Sequence, residues 1–191
     1  MIAQLEDNKI YSPEEYLEFE VNSLERHEYI NGEIIAMTGG TPNHNKIALN
    51  FSSLLNFGLK KQPYDIFMSD QRLWIPEKCI YTYPDVMVIS QPLEYQETRK
   101  DTLINPLLIG EVLSKSTKNY DKDEKFAAYR TIPTFKEYIL IDQYSMHVEH
   151  YAKIEINQWI FREYNIPETS ISFNYIPLQI ELADLYDKVD L

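Results

Sequence analysis

The chain has 191 residues, of which 44% are hydrophobic and 13% aromatic, including 15 tyrosines; this composition suits a folded globular chain and excludes wholesale disorder. Eighteen Lys and Arg against thirty Asp and Glu give a formal charge of −12, which at first argues against a nucleic-acid partner. The one cysteine, Cys79, excludes an intrachain disulfide and an all-cysteine zinc site and fits a reducing cytoplasm. The opening residues show no basic stretch followed by an apolar run, so no signal peptide is expected. Nor does any run approach the roughly 18 apolar residues of a membrane span.

The charge is not evenly spread. Residues 1–33 carry nine acids and two bases, and residues 163–191 six acids and one base, so residues 34–162 are neutral. Within that middle, residues 115–130 carry five bases and three acids. The acidity belongs to the ends, where it favours solubility, and it does not exclude a phosphate-bearing partner at the centre.

In chain order, Ser12-Pro13-Glu14-Glu15 predicts a capping-box helix ending near Asn22. The segment 27–37 reads as a hairpin turning at Asn31-Gly32, which suits a type I′ turn. A two-residue turn sets Ile30 opposite Glu33 and Glu28 opposite Ile35, with both carboxylates on one side of the ribbon. Asn43 is expected to cap a helix running to about Lys60, with Ile47, Phe51, Leu54 and Leu55 at helical spacing. Three strands are expected at 64–75, 83–90 and 106–114, the last two apolar enough to be buried on both faces. A helix over 120–130 places Phe126 and Tyr129 on one side and stops at Ile132-Pro133. A strand at 136–142, hairpin strands around 146–154 and 158–164, an irregular acidic tail and a short helix near 182–186 complete the chain. The order helix, three strands, helix, strand predicts an α/β (α+β) fold. It would be a mixed sheet flanked by helices, one domain over 1–191 with its core at about 43–142.

Asp85 and Glu111 interrupt runs that otherwise belong in a core. By alternation, Asp85 shares a face with Met87 and Ile89, and Glu111 with Ile109 and Leu113. An ionised carboxylate there needs a cation or strong donors. Two on neighbouring strands favour a shared proton or a divalent metal, and an oxygen-only ligand set points to Mg²⁺ or Mn²⁺. The competing reading places each acid at a strand end, solvated or paired with an arginine. Gly110, beside Glu111, allows a close approach by another backbone or a substrate.

Metal-assisted phosphodiester hydrolysis also calls for a nearby lysine to orient water or offset charge. Lys125, Lys115 and Lys118 compete for that role. Helical tethering favours Lys125, whose plainer reading is a surface pair with Asp121 at i−4.

Pro84-Asp85, a following strand with Glu111 and a lysine beyond resemble the PD-(D/E)XK nuclease superfamily, whose common core has the same αβββαβ order. More closely, RHEYINGEI, GGTPNHNKIA, YPDVMV, EVLSKST and YDKDEKFAAYR resemble the Uma family of restriction endonucleases, over about residues 12–142. The resemblance implies a Mg²⁺-dependent endodeoxyribonuclease, a hydrolase of DNA. Asp85 and Glu111 would be its metal ligands, the Val112 carbonyl a further ligand, and Lys125 the catalytic lysine. The sequence departs from the superfamily at Leu113, where the lysine of the motif would stand. A shift of the lysine onto the next helix fits Lys125, and Lys115 is the alternative.

Lesser signals surround these. Glu28 reads either as a further acid near the metal or as an exposed hairpin residue. His44 reads as a phosphate contact at a helix N-terminus or as a capping residue. Asp70 and Arg72 are expected to pair with each other, Gly39-Gly40 to form a turn, and His147 and His150 not to share a metal. Trp74 and Trp159 are expected in the core or a dimer interface rather than stacked on bases. Cutting both strands needs two active sites, so a symmetric homodimer is expected. Two other functions stay open: a catalytically silent nuclease-fold module binding DNA or a protein, and a metal hydrolase of another phosphoester.

Overall fold

The computed structural model describes residues 9–115 and 118–191. Helix α1 (Pro13–Asn22) begins as its sequence requires. The Glu15 N–H donates to Ser12 Oγ at 3.2 Å, and the Ser12 N–H donates to Glu15 Oε2 at 2.7 Å. Strands β1 (His27–Ile30) and β2 (Glu33–Ala36) form the hairpin in the expected register, Ile30 opposite Glu33 and Glu28 opposite Ile35. Asn31 at φ 50° and Gly32 at φ 101° supply the left-handed backbone of the turn.

Helix α2 (Pro42–Gly58) has its cap two residues before the expected one. Thr41 caps it, its Oγ1 accepting the His44 N–H at 3.1 Å. Pro42 is suited to the first helical position and holds the residue before it extended, which makes Thr41 the cap. Asn43 instead donates to the Asp190 carbonyl at 2.7 Å and so ties the chain end to α2.

The strand expected over 64–75 is two strands, β3 (Tyr64–Met68) and β4 (Arg72–Ile75), which join different sheets. Polar Ser69-Asp70-Gln71 interrupts the apolar run, and the Gln71 N–H closes a turn onto the Met68 carbonyl at 2.9 Å. Asp70 and Arg72 therefore do not pair. Asp70 lies 3.7 Å from Arg26, while the buried Arg72 guanidinium donates to Asp101 at 2.8 Å and Thr102 at 3.0 Å.

The chain continues through β5 (Ile80–Thr82), β6 (Val86–Ser90), β7 (Thr102–Leu103) and β8 (Leu108–Leu113). Helix α3 follows as three consecutive pieces: Lys118–Tyr120, a π-helical turn at Asp121–Lys125, and Phe126–Tyr129. Then come β9 (Glu137–Asp142), β10 (Val148–Glu155), β11 (Gln158–Tyr164), β12 (Ser170–Ser172), β13 (Gln179–Glu181) and a last helix, Leu182–Leu185. One sheet runs β11-β10-β9-β8-β6-β3, with β8 and β9 its parallel pair; a second runs β2-β1-β5-β4-β7, and β12-β13 form a third. The elements α2, β3, β6, β8, α3 and β9 give the expected αβββαβ core, a mixed sheet flanked by helices.

Alternation in β6 and β8 builds both covered faces. Val86, Val88, Leu108 and Val112 pack with Ile47, Phe51 and Leu55 of α2. Met87, Ile89, Ile109 and Leu113 pack with Ala128 and Tyr129 of α3 and with Tyr138. Each such aliphatic side chain contributes about 2 kcal/mol by leaving water. At Gly110 the close neighbour is neither backbone nor substrate but the Phe51 ring. A Cβ there would stand 2.4 Å from Phe51 Cε1, so the glycine lets α2 settle onto the sheet.

The tail is more ordered than expected. β12 and β13 pair antiparallel, and Ile171, Ile176 and Ile180 are buried in the core on the α2 side. Each strand has three residues, too short for periodicity to reveal without its partner. Trp74 stacks on Tyr81 at 4.0 Å and Trp159 packs on Phe126 at 5.2 Å, so both serve the aromatic core. Among the described residues no helix is long and apolar enough to cross a membrane.

Candidate active site

Asp85 immediately precedes β6, and Glu111 lies in the middle of β8. The two strands pair antiparallel with Val86 opposite Gly110, which brings the two acids together across the ladder. Each carboxylate takes a backbone N–H from the other strand. Asp85 N–H donates to Glu111 Oε2 at 3.2 Å, and Val112 N–H donates to Asp85 Oδ2 at 2.8 Å. An extended residue turns its N–H and C=O to the same side of its strand, so the Val112 carbonyl lies on the Asp85 side of β8. Among the described residues neither acid is held by an arginine; of the alternative that the sequence left open, only the strand-end position holds, and only for Asp85.

Glu111 is buried on the face covered by α3, and its Oε1 accepts the Tyr129 hydroxyl at 2.7 Å. Burial pushes its carboxyl up to about 8. The Lys125 charge and the Tyr129 hydrogen bond pull it down, while the Asp85 and Asp121 charges push it up.

Lys125 does not lie on the surface. Its side chain is only 12% exposed, and its Nζ lies 3.3 Å from Glu28 Oε1, 3.3 Å from Asp121 Oδ1 and 3.5 Å from Glu111 Oε1. Burial alone would lower this lysine, but the three carboxylates outweigh it and hold the ammonium well above its ordinary value. The surface pair considered for Lys125 and Asp121 is thus a buried pair. Both residues belong to the π turn of α3, whose Asp121 carbonyl accepts the buried Tyr138 hydroxyl at 3.0 Å, so β9 braces the turn.

His44 is not the cap of α2; its backbone N–H is the group that Thr41 caps. The His44 ring Nε2 sits 3.2 Å from Asp85 Oδ2. Burial opposes a charged imidazole, but the Asp85 carboxylate, by hydrogen bond and charge, and the Asp121 charge outweigh it and raise the group. Gly40 makes room for this ring, since a Cβ there would stand 2.9 Å from His44 Nδ1. Residues 37–40 form an irregular link to α2 instead of the expected turn.

The other lysines are placed differently. Lys115 is exposed but also lines the cavity that Lys125 faces, its ammonium 5.3 Å from the Tyr144 ring centre, and Lys118, at the start of α3 rather than in a loop, lies 3.3 Å from Asp142. Glu28, His44, Asp85, Glu111, Asp121 and Lys125 line one cavity of about 560 Å³, walled on one side by β2 and residues 37–41. Glu28 therefore belongs to the site and is not an exposed hairpin acid.

His147 and His150 do not meet, as their strand parity implied. His150 pairs with Glu137 at 2.9 Å in the interior, and His147 lies 3.6 Å from each of Glu149 and Glu163.

The sequence reading missed Asp121 as a site residue, together with the hydroxyls of Tyr129 and Tyr138. Asp121 stood in view four residues before Lys125, but nothing local showed that this helix face is buried. A tyrosine hydroxyl's partner across a sheet leaves no trace in sequence.

Fold and site together define a protein of nuclease-like architecture. A solved structure described as "a putative nuclease belonging to DUF820", from Anabaena variabilis ATCC 29413, shares the fold with a TM-score of 0.74 at 20% identity, over 91% of this chain and 96% of that one. Residues 13–184 match the Uma2 family, described as "Putative restriction endonuclease", and the chain belongs to that family. Two Synechocystis sp. (strain ATCC 27184 / PCC 6803 / Kazusa) proteins are similar along most of their length. "Uncharacterized protein sll1609" is 43% identical over 170 residues, covering 89% of this chain and 96% of its own. "Uncharacterized protein slr1290" is 37% identical over 153 residues, 80% of each chain.

Proposed function

We propose that this chain is a metal-dependent endonuclease that hydrolyses DNA phosphodiester bonds. Asp85, Glu111 and the Val112 carbonyl would hold the ion, with Lys125 as the site's lysine. The observation that carries the reading is the pair of carboxylates on adjacent strands, exchanging backbone N–H bonds in a cavity that also holds a buried lysine.

The residues present fit a hard divalent cation. Glu28, Asp85, Glu111 and Asp121 face one ammonium and one imidazole, leaving negative charge that a divalent ion would balance, and the oxygen donors suit Mg²⁺ or Mn²⁺. Such an ion, when bound, polarises a phosphate oxygen and lowers the pKa of a coordinated water. The chain's own part is to orient and to balance charge. Tyr129 fixes Glu111 through Oε1 and leaves Oε2 on the Asp85 side. His44, at the start of α2, is suited to meet a phosphate with its ring and with the helix N-terminus behind it. Without the ion, the acidic cavity repels a phosphodiester, so DNA binding is metal-assisted. Cutting both strands would draw on two such sites, which a symmetric dimer supplies; sedimentation as a monomer at working concentration would remove that part.

Nicking of supercoiled plasmid tests the reading. Wild type is expected to cut with Mg²⁺ or Mn²⁺, and folded Asp85→Ala and Glu111→Ala to lose the activity. A folded wild type that binds DNA yet cuts none with either ion would be the silent module instead.

A further inference from the structure

The Lys125 ammonium is surrounded by carboxylates as a metal ion would be. Three carboxylate oxygens from three separate elements converge on it: Glu28 from β1, Glu111 from β8 and Asp121 from the π turn of α3, at 3.3, 3.5 and 3.3 Å. An ammonium has three N–H groups, and here each has a carboxylate to meet. Glu111 stands between two cation positions, with Oε1 turned to Lys125 and Oε2 to the Asp85 side. Glu28 and Asp121 thus serve the lysine, while Asp85 and the Val112 carbonyl lie on the other side of the same carboxylate.

We propose that Lys125 is a built-in occupant of a second cation position, so that the site takes one divalent ion and not two. The inference rests on the endonuclease reading above and deepens it. The oxygens around Nζ, at 3.3 to 3.5 Å, are about 1.2 to 1.4 Å farther out than the roughly 2.1 Å that Mg²⁺ requires. That gap is small enough for acid side chains to close once the ammonium is gone. Removing the lysine's charge therefore leaves three acids around a vacancy of cation size. Retaining it fills that vacancy with a charge that never dissociates. The lysine acts on phosphodiester hydrolysis through its charge, because its N–H groups are committed to carboxylates and do not direct a water.

The test is Mn²⁺ stoichiometry on the full chain, read by electron paramagnetic resonance and by calorimetry, with no DNA present. Wild type and Lys125→Arg are expected to bind one ion each, and Lys125→Met two. Adding Asp121→Asn to Lys125→Met is expected to return the count to one. A His147→Ala background removes any ion held by His147, Glu149 and Glu163, whose ligand atoms lie within 4.8 Å of one another; in it, two ions with Lys125 present, or one in Lys125→Met, would overturn the inference and leave the endonuclease reading standing. No ion in folded wild type would overturn the metal reading itself, and this inference with it. Circular dichroism accompanies each titration. Should Lys125→Met fold only when Mn²⁺ is present, the count in the refolded protein decides in the same way, two ions supporting the inference and one overturning it.

Discussion

Glu111 and Glu137 are buried carboxylates on adjacent parallel strands of one sheet, facing opposite sides of it. Their surroundings differ in how the charge is met. Glu137 accepts the Asn174 N–H at 2.7 Å and the Tyr175 N–H at 3.1 Å, and lies 2.9 Å from His150 Nε2; both side chains are fully buried. Its donors close the space around it and clamp the loop after β12 to the sheet. Glu111 has one tyrosine hydroxyl, one backbone amide and a shared ammonium, with three other acids near it and an open cavity beside it. A buried acid surrounded by its own donors is part of the scaffold. A buried acid among other acids, beside a cavity, stores a demand for positive charge.

The sharpest way to break this contrast is to remove each carboxylate in turn. Glu111→Ala is expected to lower metal-dependent plasmid nicking by about a hundredfold or more. Glu137→Ala is expected to leave the rate per folded molecule unchanged. Equal losses of rate would erase the distinction.

Stability should separate the two residues in the opposite sense. Glu137→Ala strands His150 and two backbone N–H groups, and is expected to cost about 3 kcal/mol in urea unfolding. Glu111→Gln is expected to cost far less, since it puts a neutral amide where the neutral, protonated acid stood and keeps an acceptor oxygen there.

Titration gives a subtler comparison. With its carboxyl raised to about 8, Glu111 holds a proton in the folded, metal-free chain across the neutral range. A divalent ion must displace that proton. Mn²⁺ affinity is therefore expected to climb about tenfold per pH unit below that value and to level off above it, as calorimetry at several pH values would show. The sign for folding follows from the same shift. The raised carboxyl binds more protons in the folded state than in the unfolded one, so its contribution to metal-free stability falls as pH rises from the ordinary carboxylate range through about 8. Glu111→Gln should remove that slope, whereas an unchanged slope would assign it elsewhere.

The smallest expected effect lies in the brace beneath the lysine. Tyr138→Phe leaves the Asp121 carbonyl without its hydroxyl donor and is expected to cost about 1 kcal/mol in thermal or urea unfolding. Its Mn²⁺ count should match wild type.

Local signals were legible wherever a few neighbouring residues decide the outcome. The Ser12 capping box, the Asn31-Gly32 turn and the apolar runs of β6 and β8 behave as read. Asp85 and Glu111 stood out because each breaks such a run. Readings that depended on one residue's partner were less secure. Asn43 lost the cap to Thr41 because Pro42 fixes the helix start. Asp70 and Arg72 separated because a turn divides their segment between two sheets. Glu137 was not distinguished at all, since an acid at the start of an apolar strand looks the same whether or not backbone amides await it.

By itself, the sequence determined the order of the core elements, αβββαβ, and the two acids that interrupt it, because helix periodicity, strand alternation and capping act over a few residues. It also located the negative charge at the chain ends, away from the neutral middle that supplies His44, Asp85, Glu111, Asp121 and Lys125; Glu28 comes to the site from the acidic first segment. Tertiary structure alone decided that Glu28, Asp121 and Glu111 converge on Lys125, and that His44 reaches Asp85. Those residues lie on separate elements, and a side chain's charge is met or left unmet by whatever packing brings within a few ångström of it. Periodicity says which face a residue occupies; only the assembled sheets and helices say what stands opposite.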